Sequence, residues 1–173
     1  MNHVLGAVFS LAACAAVAEP RGVFLQDIEG QRIRVATLTI ADDGGYEVVM
    51  DAAPFNDHFL SMRPFKCLEG PQKHWCHVPY PYEIARNISV DLTDLEYDLL
   101  FVWKGATDYG INMWNGVYYQ LEQTGGVITG TLHEMDMDTL SAPPPAGELR
   151  PLRASDLHAS DPESHWLPHI IIE

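Results

Sequence analysis

The chain has 173 residues, of which 47% are hydrophobic and 20% charged, with 24 Asp and Glu against 10 Lys and Arg. This apolar content excludes an intrinsically disordered chain, and the length allows one domain with a buried core. The formal net charge of −14 argues against nucleic acid and anionic lipid as partners, because both need a basic footprint on the protein.

The N-terminal segment has the pattern of a targeting signal. Residues 4–18 form an uncharged apolar run that is shorter than the ~20 residues of a membrane-spanning helix. The run ends in Ala-Val-Ala, which resembles a cleavage site and predicts a signal peptide over residues 1–18. Alternatively, Leu-Ala-Ala-Cys at 11–14 resembles a lipobox, which predicts a signal over 1–13 and a lipid anchor at Cys14; a buried N-terminal helix is a third interpretation. Under either signal interpretation we expect export, to the periplasm or as an outer-membrane lipoprotein, with no transmembrane span in the mature chain.

After residue 20 the chain is predicted to be mainly β. Turn signals rich in Gly, Asn and Asp recur at short intervals, and β-branched and aromatic runs of strand length lie between them. These runs predict strands at residues 22–28, 32–41, 46–52, 58–67, 75–78, 97–104, 116–122 and 127–134. Residues 81–95 are the best candidate for a short helix, although their apolar positions fit a 3.6-residue period poorly.

This pattern predicts an all-β, mainly antiparallel fold: a single small β-barrel or β-sandwich with at most one or two short helices. It is lipocalin-like by architectural analogy only. In the second strand, Ile33 and Val35 share one parity while Leu38 and Ile40 take the other, which predicts a β-bulge near Ala36-Thr37 and favours a strongly curled sheet.

Residues 19–140 are expected to form the β-rich domain, and residues 141–173 a proline-rich spacer followed by a segment that packs back on it. The prolines at 143–145 favour an extended spacer, whereas residues 166–172 are too apolar to remain in water. We therefore expect the C-terminal segment to form an edge or closing strand, preceded by an acidic surface loop at 156–164.

The cysteines fit an exported chain. If Cys14 is removed or lipidated, Cys67 and Cys76 remain as an even pair, and the Gly70-Pro71 turn lies between them. A disulfide closing this loop would contribute about 2–3 kcal/mol through chain entropy. His74 and His77 beside Cys76 leave a metal site such as zinc as the alternative, although the usual spacing of zinc ligands is absent.

The middle of the chain carries the candidate ligand site. The loop at 104–116 combines rigid aromatic side chains with amide groups, a mixture typical of sites for polar organic molecules. Arg63 lies in an apolar run and could hold a carboxylate or phosphate, or pair with an acidic side chain. We predict a small-molecule site in a barrel mouth or cleft; its residues are Arg63, Trp103, Tyr109, Asn112, Trp114 and Tyr119. The alternative is that these aromatic residues form the core and Asn115-Gly116 a simple turn.

A second candidate site is the segment 133–138, where extended backbone places His133, Met135 and Met137 on one face. An imidazole and two thioethers suit Cu(I), so these residues could handle copper if the C-terminal segment folds over them and adds histidines. Methionine also fills gaps in ordinary cores. The metal is therefore an alternative, and no cofactor is predicted as the main interpretation.

The motifs of common hydrolases, metalloproteases and nucleotide-binding proteins are absent from the sequence, which leaves enzymatic activity undecided and disfavoured. A His–carboxylate hydrogen bond inside a pocket would be the minimum sign of acid–base catalysis. The remaining alternative is an envelope structural or protein-interaction domain that binds another envelope protein. Sequence alone favours the ligand-binding domain narrowly.

Overall fold

The computed structural model describes residues 19–60 and 63–173. The predicted signal peptide and the lipobox at Cys14 lie outside the described residues. The described residues form eleven strands and one short α-helix, with bounds β1 Arg21–Gln26, β2 Arg32–Ile40, β3 Tyr46–Met50, β4 Asn56–Phe59, β5 Pro64–Glu69, β6 Lys73–His77, α1 Thr93–Asp98, β7 Phe101–Gly105, β8 Gly116–Thr124, β9 Val127–Met135, β10 His158–Ala159 and β11 His169–Ile172.

All of these strands belong to one antiparallel sheet that curls into a half-barrel, which confirms the predicted fold class. The strands follow the order β3-β2-β1-β11-β9-β8-β7-β6-β5-β4, and β10 pairs with β9 outside this path. β11 lies between β1 and β9 and joins the two parts of the sheet. The C-terminal segment therefore packs back as a closing strand, as its apolar sequence predicts.

The predicted bulge in β2 is present one residue from its expected place. Val23 pairs with Ala36 while the next residue, Phe24, pairs with Arg34, so Val35 is the extra residue on β2. Val35 and Ala36 are consecutive and both fully buried, which a regular strand with alternating faces would not allow. The bulge thus explains the change of parity seen in the sequence.

Three predicted elements were wrong. The strand expected at 58–67 is a hairpin of β4 and β5, because Pro64 has no backbone N–H and begins a new strand rather than continuing one. The strand expected at 97–104 begins only at Phe101, because residues 97 and 98 belong to α1 and Leu99 caps its end. The helix expected at 81–95 is therefore displaced, and helical structure begins at Thr93.

The sheet carries a core on each face. We define the inner face as the one that bears the larger core and the outer face as its opposite. The larger core includes Val23, Leu25, Leu38, Trp75, Phe101, Tyr119, Ile128 and Ile170. The smaller core includes Tyr80, Tyr97, Val102, Tyr118, Met135 and Met137. Near the start of β8 and the end of β9, neighbouring residues thus face two different apolar clusters.

Helix α1 covers the part of β8 that β7 leaves unpaired. β7 pairs with β8 only at Val117 and Gly116, and beyond them the N–H of Leu121 donates to Glu96 Oε1 of α1 at 2.6 Å. Tyr118 Oη donates to the other oxygen of the same carboxylate. The buried Glu96 side chain therefore provides hydrogen bonds that a neighbouring strand would otherwise supply.

The other two acidic residues of α1 are also buried and paired. Asp98 accepts hydrogen bonds from Tyr46 Oη at 2.9 Å and from two nitrogens of Arg86, each at 3.0 Å. Asp94 accepts from Arg150 Nε at 2.6 Å. These bonds tie the helix to β3 and to the segment that follows the prolines.

Cys67 and Cys76 form a disulfide between β5 and β6, where they lie opposite each other in the ladder. The even cysteine pair was predicted from sequence. Within the residues that the structure describes, no helix is long and apolar enough to cross a membrane.

Candidate functional site

Four chain segments end together at one rim of the sheet. Trp103 of β7 faces Asn115, which precedes β8, and its N–H donates to the Asn115 carbonyl at 3.0 Å. The Asn115 side chain returns a hydrogen bond from Nδ2 to the Trp103 carbonyl at 3.2 Å. On the other side of β9, His158 of β10 pairs with Glu134. These pairings hold the ends of β7, β8, β9 and β10 beside one another.

A surface cleft of about 460 Å³ opens at this rim. We call it the rim cleft; its lining residues are Trp103, Trp114, Asn115, Glu134, Met135, Asp136 and His158. It combines two indole rings with two carboxylates, and of the described residues no Lys or Arg lines it. The volume lies within the range of small-molecule sites, about 300–1,000 Å³.

Trp114 is an exposed aromatic residue of the rim cleft. The residue is 70% exposed, although Trp is among the side chains with the most apolar surface. Its backbone is nevertheless ordered by the loop, because Asn112 Oδ1 accepts a hydrogen bond from the Trp114 N–H at 3.1 Å and the Asn112 carbonyl accepts one from Asn115 N–H at 3.0 Å. The loop therefore presents a large apolar ring to solvent from a fixed turn.

A chain of hydrogen bonds that runs from Lys73 through His165 holds the Glu134 side chain in place. Lys73 Nζ donates to the Ser164 carbonyl at 2.8 Å and lies 3.2 Å from His165 Nδ1. Because an ammonium group only donates, His165 Nδ1 must accept, and the imidazole proton then resides on Nε2. That nitrogen donates to Glu134 Oε1 at 2.8 Å.

Burial shifts the pKa values of two side chains in this hydrogen-bonded series, His165 and Lys73. The His165 side chain is only 1% exposed, and burial lowers the pKa of its imidazole, with Lys73 adding to the effect and Glu134 opposing it. Burial also lowers the pKa of the Lys73 ammonium, while the charge of Glu134 opposes that shift. Lys73 Nζ lies 4.2 Å from the centroid of the Trp103 ring, a cation–π distance that stabilises its charge.

The lowered pKa of His165 predicts an acid-sensitive contribution to stability. In the unfolded chain the imidazole titrates near 6.5, whereas in the folded protein it takes up its proton only at lower pH. Its contribution is therefore present above pH 6.5 and is lost as the pH falls through the lower folded value. We expect the free energy of unfolding of the wild type, measured relative to His165→Gln, to decrease as the pH falls. Parallel curves for the two proteins in urea titrations would contradict this assignment.

The structure distributes the six predicted ligand residues over several places. Trp103 and Trp114 both line the rim cleft. Tyr109 and Asn112 line a neighbouring depression of about 340 Å³ together with Lys104. Arg63 lies by a third depression, and its guanidinium carbon is 5.6 Å from the centroid of the Phe65 ring.

Tyr119, the remaining predicted ligand residue, belongs to the larger core. It is fully buried, accepts a hydrogen bond from Trp75 Nε1 at 3.1 Å and donates one to the Leu167 carbonyl at 2.7 Å. Burial raises the pKa of its phenol. Its hydroxyl group is thus already satisfied by the fold.

The predicted copper residues lie in different environments. Met135 and Met137 are buried in the smaller core, while His133 is half-buried and its Nδ1 lies 3.2 Å from the Thr131 carbonyl. The C-terminal segment pairs with β9 within the sheet rather than folding over it, and it places His158 and His169 in neighbouring strands. Within 19–60 and 63–173, no three side chains among His, Cys, Asp and Glu are arranged to hold a metal ion. The copper site stays a prediction.

The polar residues of the rim cleft were not predicted from sequence to bind an organic ligand, although Glu134 and Asp136 lie within the candidate metal segment 133–138. Glu134, Asp136 and His158 resemble the acidic residues and histidines found on any exposed strand, and His165 lies 31 residues from the carboxylate that it contacts. The available signal was the parity of β9, since Glu134 shares the face of Ile128 and Leu132, which point into the larger core.

Comparisons with protein-family models, with curated proteins and with solved structures find no match for this chain. The function must therefore be argued from the rim cleft and its surroundings.

Proposed function

We propose that this chain is an exported β-domain that binds a small organic ligand in the rim cleft. The observation that carries the proposal is the pairing of an exposed Trp114 with Trp103 and two carboxylates in one cleft at the rim of the sheet. An exposed indole ring held by an ordered loop is costly in water and offers a ready stacking surface for a ligand. The disulfide supports export, because such bonds persist in oxidising compartments.

Two larger depressions are poorer candidates. One, of about 550 Å³, is an open surface over β1, β8, β9 and β11 whose lining contains no aromatic ring other than His169 among the described residues. The other, of about 610 Å³, is lined by Lys73, His165 and Trp166 at the inner end of the polar chain that reaches Glu134. Lys73 and His165 already hydrogen-bond to each other, and Lys73 also donates to the Ser164 carbonyl, so few of their polar atoms remain for a ligand.

Acid–base catalysis has one supporting observation, the hydrogen bond between His165 and Glu134 beside the rim cleft. Both ring nitrogens of His165 are engaged, however, one by Lys73 and the other by Glu134. A general base needs a nitrogen within reach of the substrate proton. The imidazole is therefore better suited to orienting Glu134 than to transferring protons.

The proposal predicts that Trp114 carries much of the binding energy. The full protein, with the indole N–H signals of its four tryptophans assigned by NMR, is titrated with choline, glucose, phenylacetate and a small neutral alcohol. We expect at least one probe to shift the Trp114 signal, and Trp114→Leu to weaken that binding by about tenfold or more, as for an interface aromatic anchor.

The matched control is Tyr109→Leu, which removes another fully exposed aromatic side chain of the same loop, outside the rim cleft. It should leave the affinity unchanged. If no probe perturbs Trp114, and the protein purified from its own host carries no organic molecule in native mass spectrometry, the proposal fails.

A further inference from the structure

We infer that the ligand of the rim cleft is an organic cation, a small molecule with an ammonium or quaternary ammonium group. This inference rests on the proposed function and specifies the chemistry of its ligand. The cleft presents the two kinds of group that recognise such ions: aromatic rings, whose faces carry negative charge density, and carboxylates.

The carboxylates of the cleft remain accessible although each has a partner in the fold. The Glu134 side chain is 46% exposed while one of its oxygens accepts from His165. Asp136 is exposed, and its Oδ1 accepts from the backbone N–H of Asp138 at 2.9 Å. These bonds fix the direction of each carboxylate without using all of its acceptor sites, which preorganises them for a cation.

The ammonium group of Lys73 reaches Glu134 only through His165. Lys73 does not line the rim cleft, and His165 separates its ammonium from Glu134. Lys73 instead shows that this neighbourhood accommodates an ammonium ion, because its Nζ is held over Trp103 and by the Ser164 carbonyl. A ligand cation would find the same chemistry on the solvent side, with Trp114 as the free ring.

Anionic and sugar ligands fit the cleft less well. Two carboxylates repel an anion, and the net charge of −14 does so at longer range. A sugar can stack on the indole rings and donate its hydroxyl groups to the carboxylates, but it carries no positive charge for the carboxylates to neutralise. An organic cation needs only acceptors and aromatic faces, which the cleft supplies.

The test compares choline with 3,3-dimethylbutan-1-ol, which has the same shape but carries carbon in place of the charged nitrogen. Affinities for the full protein are measured by isothermal titration calorimetry at low and at high NaCl. We expect choline to bind about tenfold more tightly than the neutral alcohol, and its affinity to fall at high salt because exposed charges are screened.

Two single-charge variants locate the effect. Asp136→Asn removes a carboxylate from the cleft and keeps an oxygen that can accept from the Asp138 N–H, so it should weaken choline several-fold and leave the alcohol unchanged. Asp138→Asn removes the same charge two residues away, outside the cleft lining, and should have little effect.

The outcomes separate the inference from the proposed function. Tighter binding of choline that Asp136→Asn weakens and Asp138→Asn spares supports the inference. Equal binding of choline and the alcohol at Trp114, or a preference for glucose or phenylacetate there, overturns the cation while the binding function stands. Absence of any probe binding at Trp114, with no organic molecule retained in native mass spectrometry, overturns both.

Discussion

Replacing Trp75 by alanine is expected to lower the free energy of unfolding by about 3–5 kcal/mol, the usual cost of removing a large buried aromatic side chain. Trp75 is fully buried in β6, where β6, β8 and the segment 165–167 meet. Its ring contacts the rings of His165 and Trp166 edge-on, at centroid distances of 5.3 and 6.1 Å. Its Nε1 donates to Tyr119, which in turn donates to the Leu167 carbonyl.

Urea denaturation gives the measurement, and the chain contains its own control. Trp114→Ala removes the same side chain from an exposed position and should change the stability by no more than about 0.5 kcal/mol. Similar losses for the two variants would show that Trp75 does not connect the C-terminal segment to the sheet as described.

Replacing Glu96 by alanine is expected to cost about 2–6 kcal/mol, because two buried donors lose their acceptor and each is worth about 1–3 kcal/mol. These donors are the Tyr118 hydroxyl and the Leu121 N–H. Glu96→Gln keeps a carbonyl oxygen for the Leu121 N–H and should cost clearly less. Equal losses in the two variants would contradict the proposed hydrogen bonds between α1 and β8.

The pH dependence of the same pair tests the burial of the carboxyl group. Burial raises the pKa of Glu96 above its ordinary value of 4.5, against the opposing effect of its hydrogen bonds. A raised folded pKa means that the contribution to stability is present below pH 4.5 and is lost as the pH rises through the folded value. The stability of the wild type relative to Glu96→Gln should therefore decrease with increasing pH in this window.

Local patterns predicted most of the sheet. Strands β2, β8 and β9 begin at the predicted residues 32, 116 and 127. The alternating side chains and Gly-rich turns that define these starts act over only a few residues. The parity change near Ala36 placed a bulge within one residue of its position. Such features depend on neighbours in sequence, which is why they could be read without the structure.

Helix α1 could not be predicted in the same way. Its sequence, Thr-Asp-Leu-Glu-Tyr-Asp, places three acidic residues where a short helix would be expected to meet water. They can be buried because side chains from outside the helix donate hydrogen bonds to them: Arg86, Arg150, Tyr46 and Tyr118. Nothing local to residues 93–98 indicates those partners.

The candidate site was likewise only partly predictable from local sequence. Trp103 and Trp114 were predicted because aromatic residues in a polar loop are unusual in themselves, and both line the rim cleft. Tyr119 shares their residue class, but its alternation with Val117 and Leu121 places it in the core. The carboxylates and His165 became candidates only when the fold brought together residues 31 positions apart.

The place of β11 has a consequence for how the chain acquires its structure during synthesis. β1 is made first and β11 last among the described strands, yet β11 supplies the pairing partner of both β1 and β9. Until residues 169–172 have left the ribosome, β1 and β9 each keep an unpaired edge, and the β1–β3 hairpins have no sheet to join. Because its closing contacts span nearly the whole described chain, the sheet should assemble slowly, and only once residues 169–172 have been made rather than progressively from β1.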